Sequence, residues 1–192
     1  MGKGKLYLLG LLTLFGMGGV GILVIEFFQD TTTVSLFETG MFWCYQLPIG
    51  LIYGLVTAWL GWQLIKMQLM HEVKNFYSSI IQQLKLNWLD IIFISFCAGV
   101  GEELLFRGAI QYWLGIYFTS IVFVGIHGYL NPKDWKISIY GGYLTLVMIG
   151  ISYGFEELGM VSAMAAHFAI DVYLLGVISF GNKSSNSTIE QL

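Results

Sequence analysis

The chain has 192 residues, 56% hydrophobic and 11% charged, with a formal net charge of −3 and a mean hydropathy of +0.72. A soluble domain carries about 25% charged residues, so this chain lacks the charge to cover a soluble surface, and so apolar a composition is not that of a disordered chain. The acidic balance excludes a nucleic-acid binder, and the cysteines, Cys44 and Cys97, give neither a disulfide framework nor a zinc knuckle.

At about 20 residues per spanning helix, the length accommodates an all-α polytopic bundle of about six transmembrane helices. Apolar segments fall at 6–28, 47–67, 88–108, 116–130, 137–155 and 158–180. The first follows Lys3 and Lys5, is longer than a signal-peptide core and has no A-x-A site, and so reads as a retained signal-anchor. In the second, Gly50-x-x-x-Gly54 with Ala58 one turn on makes a small-residue stripe for close helix approach, and Gly16, Gly18, Gly19 and Gly21 do the same less regularly. Between segments two and three, residues 66–87 mix His71, Glu72, Lys74 and Lys85 with Phe76, Tyr77, Ile80, Ile81 and Leu84, the pattern of an amphipathic helix on the membrane surface. His71-Glu72 begins like the zinc-protease H-E-x-x-H, but residue 75 is Asn. The fourth segment is short and stops at Asn131-Pro132. Residues 1–180 read as one integral-membrane domain with its motif-bearing core at 88–180, and 181–192 as a polar, disordered tail.

Every lysine falls on one side of such a six-span arrangement, whereas Asp30, Glu38, Glu156 and Glu157 fall on the other. By the positive-inside rule both termini are expected in the cytoplasm, and the sequons at Asn182 and Asn186 are then unused.

Arg107, the single arginine, lies within an apolar segment together with Glu102 and Glu103; His127 lies in another, and His167 and Asp171 in a third. A charge at mid-bilayer costs about 2.5–3.5 kcal/mol on insertion scales, so such groups are kept where they pair or line a cavity. Polar groups on three segments of a small bundle read as one site. Glu103 and Arg107 are an i,i+4 pair that neutralise each other, whereas Glu102 points about 100° away, lacks that partner and suits a general base for water. His167 and Asp171 share a face, so that Asp171 either orients the imidazole or acts as a ligand itself. Two His and three carboxylates also suffice for a divalent metal, and spacing does not separate metal-bound water from metal-free base catalysis. Counted from the inner ends of their segments, Glu102 and His167 lie at similar depths, about 20 Å, whereas His127 lies only about 5 Å in.

The succession Glu102-Glu103-x-x-x-Arg107, Phe123-x-x-x-His127 and His167-x-x-x-Asp171 resembles the CPBP family. These are the CAAX proteases and bacteriocin-processing enzymes, also called Abi, which include the Ras-converting type of CAAX prenyl protease. The resemblance covers about 88–180 and implies an intramembrane endopeptidase of the glutamate type, once described as a metalloprotease. Glu102 matches the family's water-activating Glu, His127 its assisting His, and His167 the His that helps bind the oxyanion. Glu103 and Arg107 fill the remaining motif positions, and Asp171 stands where the prenyl-protease branch has Asn. The resemblance implies that no cofactor is required on the glutamate mechanism; a zinc ion held by Glu102, His127 and His167 is the alternative. It also implies a place in a bacterial plasma membrane and a peptide or protein substrate, prenylated or a leader peptide. Some relatives are scaffolds or bacteriocin-immunity proteins, which keeps a non-catalytic role open. An ion or proton pathway is another reading of intramembrane acids and His. A serine protease using Ser152, within Gly150-Ile151-Ser152-Tyr153-Gly154, is the enzyme rival, although that motif requires a strand-to-helix turn.

Overall fold

The computed structural model describes residues 2–181. The expected disordered tail, with both sequons, lies outside the described residues apart from Gly181. The described residues form helices and no strand, as the composition requires.

Four helices are long and apolar enough to cross a membrane: Lys3–Phe28, Trp43–Ile65, Trp135–Glu157 and Met160–Phe180. The first is a continuous rod of α1 (Lys3–Leu11), a π-helical turn (Leu12–Met17) and α2 (Gly18–Phe28). A short helix, α3 (Thr33–Glu38), comes next, capped by Thr32 and unforeseen in the apolar pattern. The second crossing is α4 (Trp43–Ile65), and the amphipathic segment is α5 (His71–Gln83), shorter than the 66–87 expected, with Val73 buried and Phe76 and Ile80 exposed.

The expected third and fourth segments meet at a break within one helical run. Helix α6 (Trp88–Glu103) runs through a second π-helical turn (Leu104–Ile110) directly into α7 (Gln111–Ile126), with no loop between them. The chain breaks instead at Gly115, whose φ of 67° and ψ of 176° suit glycine. Beyond this break α7 is helical only over 116–126, too short to cross a bilayer unaided. Helix α8 (Trp135–Glu157) and helix α9 (Met160–Phe180) complete the bundle, joined by Leu158 and Gly159.

Helix α9 is the central element, flanked by α4, α6 and α8. Small residues set its closest approach: a Cβ added at Gly50 or Gly54 would strike the carbonyl of Ser162 or Ala166 on α9. Gly21 does the same against the Leu104 carbonyl on the π-turn after α6, Gly18 lies in ordinary contact with Gly101 of α6, and Gly16 and Gly19 touch nothing. That rod is also tied at its start to α6. Asp90, buried in the capping box that opens α6, bonds the Tyr7 hydroxyl and lies 2.5 Å from Lys3 Nζ. Gln29 donates to the carbonyls of Gly108 and Ala109 at 3.1 and 3.0 Å, satisfying acceptors that the π-turn leaves free. Helix α6 is thus held at both ends, with Glu102 and Glu103 at its C-terminal end.

Candidate active site

Glu103 and Arg107 lie in the protein interior with no exposed side-chain surface. Arg107 Nη1 donates to Glu103 Oε1 at 3.2 Å, and Nε stands 3.1 Å from Oε2 but off the line of a good hydrogen bond. The guanidinium also meets Met148 Sδ at 3.1 Å and lies 4.9 Å over the Phe123 ring. The i,i+4 pairing read from the sequence is therefore present, and Arg107 makes no contact with Glu102.

Helix α9 brings His167 to the same carboxylate: its Nδ1 is 2.6 Å from Glu103 Oε1. The expected i,i+4 neighbour is present as well: Asp171 sits 3.7 Å from the opposite ring nitrogen, Nε2, while buried Glu103 makes the shorter contact.

Glu102 faces away from this pair. Its Oε2 is buried without a hydrogen-bond partner, 3.5 Å from His127 Nε2 and 3.9 Å from His167 Nε2. His127 Nδ1 donates to the Phe123 carbonyl at 2.7 Å, an assignment made from the acceptor it faces. In its neutral form this leaves Nε2 as an acceptor, opposite Glu102. The imidazole stacks on the Phe123 ring at 4.5 Å.

His127 thus reaches Glu102, although residue counting from Leu130 sets the two at different depths. After Ile126 the chain folds back into the bundle: Gly141 of α8 closes against the Tyr129 carbonyl, and Ser138 exchanges hydrogen bonds with Asn131. The Tyr129 ring stacks on Tyr77 of α5 and meets Tyr140 of α8 edge-on. The stacked rings of Trp88 and Phe180 mark a common level at the other ends of α6 and α9.

Glu102, His127, His167 and Asp171 all line one cavity of about 320 Å³. Its remaining wall is apolar or aromatic, with Phe123, Tyr129, Tyr140, Met148 and Ile170 among its residues. Glu103 and Arg107 stand behind this wall. Sequence reasoning overlooked Phe123 as more than a face-mate of His127. Its ring touches both imidazoles, Arg107 and Phe106, with centroids 5.7 Å from His167 and 4.9 Å from Phe106. Ala98 and Ile94 were legible, since they precede Glu102 by four and eight residues on one helical face.

Among the described residues, no group of three His, Cys, Asp or Glu side chains is arranged to hold a metal ion. Ser152 is buried in mid-helix against Ser120 and does not line the cavity, and among the described residues there is no strand to form the turn its motif needs. Cys97 is buried beside Gly10 of α1.

Comparison with known proteins selects the same half of the chain. Residues 84–173 match the model of the type II CAAX prenyl endopeptidase Rce1-like family. The chain is also similar to the uncharacterised protein YpbD of Bacillus subtilis, with 31% identity over 90 residues, which are 47% of this chain and 46% of that one. The chain thus spans about half the length of that relative. No solved structure matches the chain. Every residue of the three motifs lies within 84–173, with Glu102, Phe123, His127, His167 and Asp171 on the cavity and Glu103 and Arg107 behind it. Residues 84–173, a little under half of the chain, are thus similar to the Rce1-like family, a match that supports CPBP family membership.

Proposed function

We propose that this protein is an intramembrane endopeptidase that hydrolyses a peptide bond with water activated by Glu102. The observation that carries this reading is the buried, unpartnered Oε2 of Glu102 on the cavity wall, 3.5 Å from His127 Nε2. A water between these two acceptors donates one proton to each and presents its lone pair to the cavity. As water attacks the carbonyl carbon, its oxygen bonds to carbon, the C=O π pair moves to oxygen, and Glu102 takes the proton. Glu102 then passes that proton to the departing amine nitrogen as the C–N bond breaks.

The developing oxyanion needs a donor. His167 offers Nε2 to the cavity, and because Nδ1 is already engaged with Glu103, it donates from Nε2 only as an imidazolium. Glu103 and Asp171 on either side of the ring support that charge, and Arg107 offsets Glu103. Glu103 and Arg107 are thus positioning residues. The reaction as written uses this chain's side chains alone.

The test is a double-mutant cycle on purified protein in lipid. Glu102→Ala and His127→Ala should each lower the cleavage rate about 10²–10⁴-fold. The double variant should be little worse than either single, because the two act on one water. Additive losses would separate the two residues and overturn the shared-water step. Full retention of the cellular phenotype by Glu102→Ala would favour a scaffold.

A further inference from the structure

Resting on the proteolytic reading, the polar groups of the cavity wall bear on how a peptide is held there. A peptide entering an apolar enclosure brings a carbonyl acceptor with every residue, and each one taken from water without meeting a donor is destabilising. The wall is rich in acceptors and poor in donors. Glu102 and Asp171, as carboxylates, only accept, and neutral His127 turns an accepting Nε2 toward Glu102 because its Nδ1 is engaged with Phe123. His167 has Nε2 left to donate, and the oxyanion takes it. The other side-chain donors on the wall, among the described residues, are the hydroxyls of Tyr129 and Tyr140. The Tyr140 hydroxyl sits against α4, 3.5 Å from where a Cβ on Gly61 would stand. That leaves Tyr129.

Tyr129 is held as a fixed donor needs to be. Its ring stacks on Tyr77 of α5, with centroids 5.5 Å apart and 30° between the planes, and meets Tyr140 edge-on at 5.8 Å. Its backbone N–H donates to the Val124 carbonyl at 3.3 Å, and Gly141 packs directly against its own carbonyl. Its hydroxyl, by contrast, has no hydrogen-bond partner among the described residues. Burial, the Tyr77 hydroxyl and the Asp171 charge all push the phenol above its ordinary pKa, so it keeps its proton at neutral pH. Buried polar groups are normally paired within the protein, and a firmly held one that is not calls for a partner from outside.

We propose that Tyr129 is a further substrate-binding residue, whose phenol O–H donates to a carbonyl of the bound peptide flanking the scissile bond. Such a contact is made equally in the ground state and the transition state, so it sets affinity and leaves turnover unchanged. Phe at this position keeps the ring with both aromatic contacts and removes the hydroxyl alone.

The experiment uses a fluorophore-labelled Leu/Val/Ala peptide and a series of analogues in which each amide in turn is replaced by an (E)-alkene, which has no carbonyl. Binding is measured with the full chain in lipid carrying Glu102→Gln, alone and combined with Tyr129→Phe; cleavage is measured with wild type and Tyr129→Phe. Tyr129→Phe should weaken binding of the parent peptide about 5- to 100-fold. It should raise KM alike and leave kcat within about threefold. One alkene analogue should bind weakly to both proteins and be insensitive to Tyr129→Phe, a coupling that a merely structural loss at residue 129 would not produce. Unchanged binding in Tyr129→Phe, equal sensitivity of every analogue, or binding of no peptide would overturn the proposal. A fall in kcat at constant KM would also overturn it, by placing the hydroxyl on the scissile oxygen. The expected binding pattern without cleavage by wild type would leave the Tyr129 contact standing and refute the proteolytic reading. Cleavage by Tyr129→Phe indistinguishable from wild type would do the reverse.

Discussion

Glu103→Gln is the perturbation that best separates the two acidic residues. Glu103 has no exposed surface and holds two groups from different elements: Arg107 on the π-turn and His167 on α9. The substitution keeps the shape but removes the charge, leaving Arg107 as an uncompensated buried cation. Breaking a buried pair from one side costs about 3–5 kcal/mol. In a chain of this size each kcal/mol moves the melting temperature by about 2–4 °C, so the fall should be on the order of 10 °C, with reduced abundance in the membrane. Glu102→Gln is the matched control. Its Oε2 has no hydrogen-bond partner, and the residue borders the cavity, so melting and abundance should stay close to wild type. The assay is thermal unfolding of detergent-purified protein alongside quantification in membranes, because irreversible unfolding makes either measure alone ambiguous. Equal losses in the two variants, or none in Glu103→Gln, would refute the division between a structural and a chemical carboxylate.

Other consequences are open to direct measurement. Phe123→Leu should reduce cleavage more than abundance, because the ring that touches both imidazoles is lost while apolar volume is largely kept; melting and rate measured together would detect the reverse. Asp90→Ala removes part of the capping box of α6 and the anchor of Lys3 and Tyr7, and should cost about 0.5–2 kcal/mol in unfolding measurements, whereas Lys3→Ala, at an exposed partner, should cost about 1 kcal/mol or less. Gly54→Leu should abolish accumulation in the membrane, since even a Cβ there collides with α9; Gly19→Leu, in open space, should not. If both termini are cytoplasmic, as the lysine distribution implies, a membrane-impermeant maleimide should label wild type from outside through exposed Cys44 and not label Cys44→Ser, because Cys97 is buried.

What could and could not be read from sequence has physical causes. The long apolar helices and the Gly50/Gly54 stripe were legible because hydropathy and small-residue spacing are local signals, and the structure has them. The Glu103–Arg107 pair was legible for the same reason, as one turn of helix brings them together. The π-turn at Leu104–Ile110 and the break at Gly115 were not, since both are settled by packing and by a glycine indistinguishable in sequence from the many that merely pack. The hydrogen bond from His167 to Glu103 joins residues 64 apart in the chain, beyond any periodicity argument, and it adds to the local pairing with Asp171. The approach of His127 to Glu102 was not legible from residue counting, because it follows the break at Gly115 and a long-range packing of α7 that a count from Leu130 does not capture.

The central claim is that Glu102 is the base for hydrolysis within an otherwise intact protein. Its most direct measurement is the single-turnover cleavage rate of wild type and Glu102→Gln in lipid, each first shown to be folded, with and without a chelator. A fall of about 10²–10⁴-fold in Glu102→Gln, and a wild-type rate indifferent to chelation, are expected. Wild-type cleavage by Glu102→Gln, or loss of wild-type activity on chelation with recovery on adding zinc, would contradict the claim.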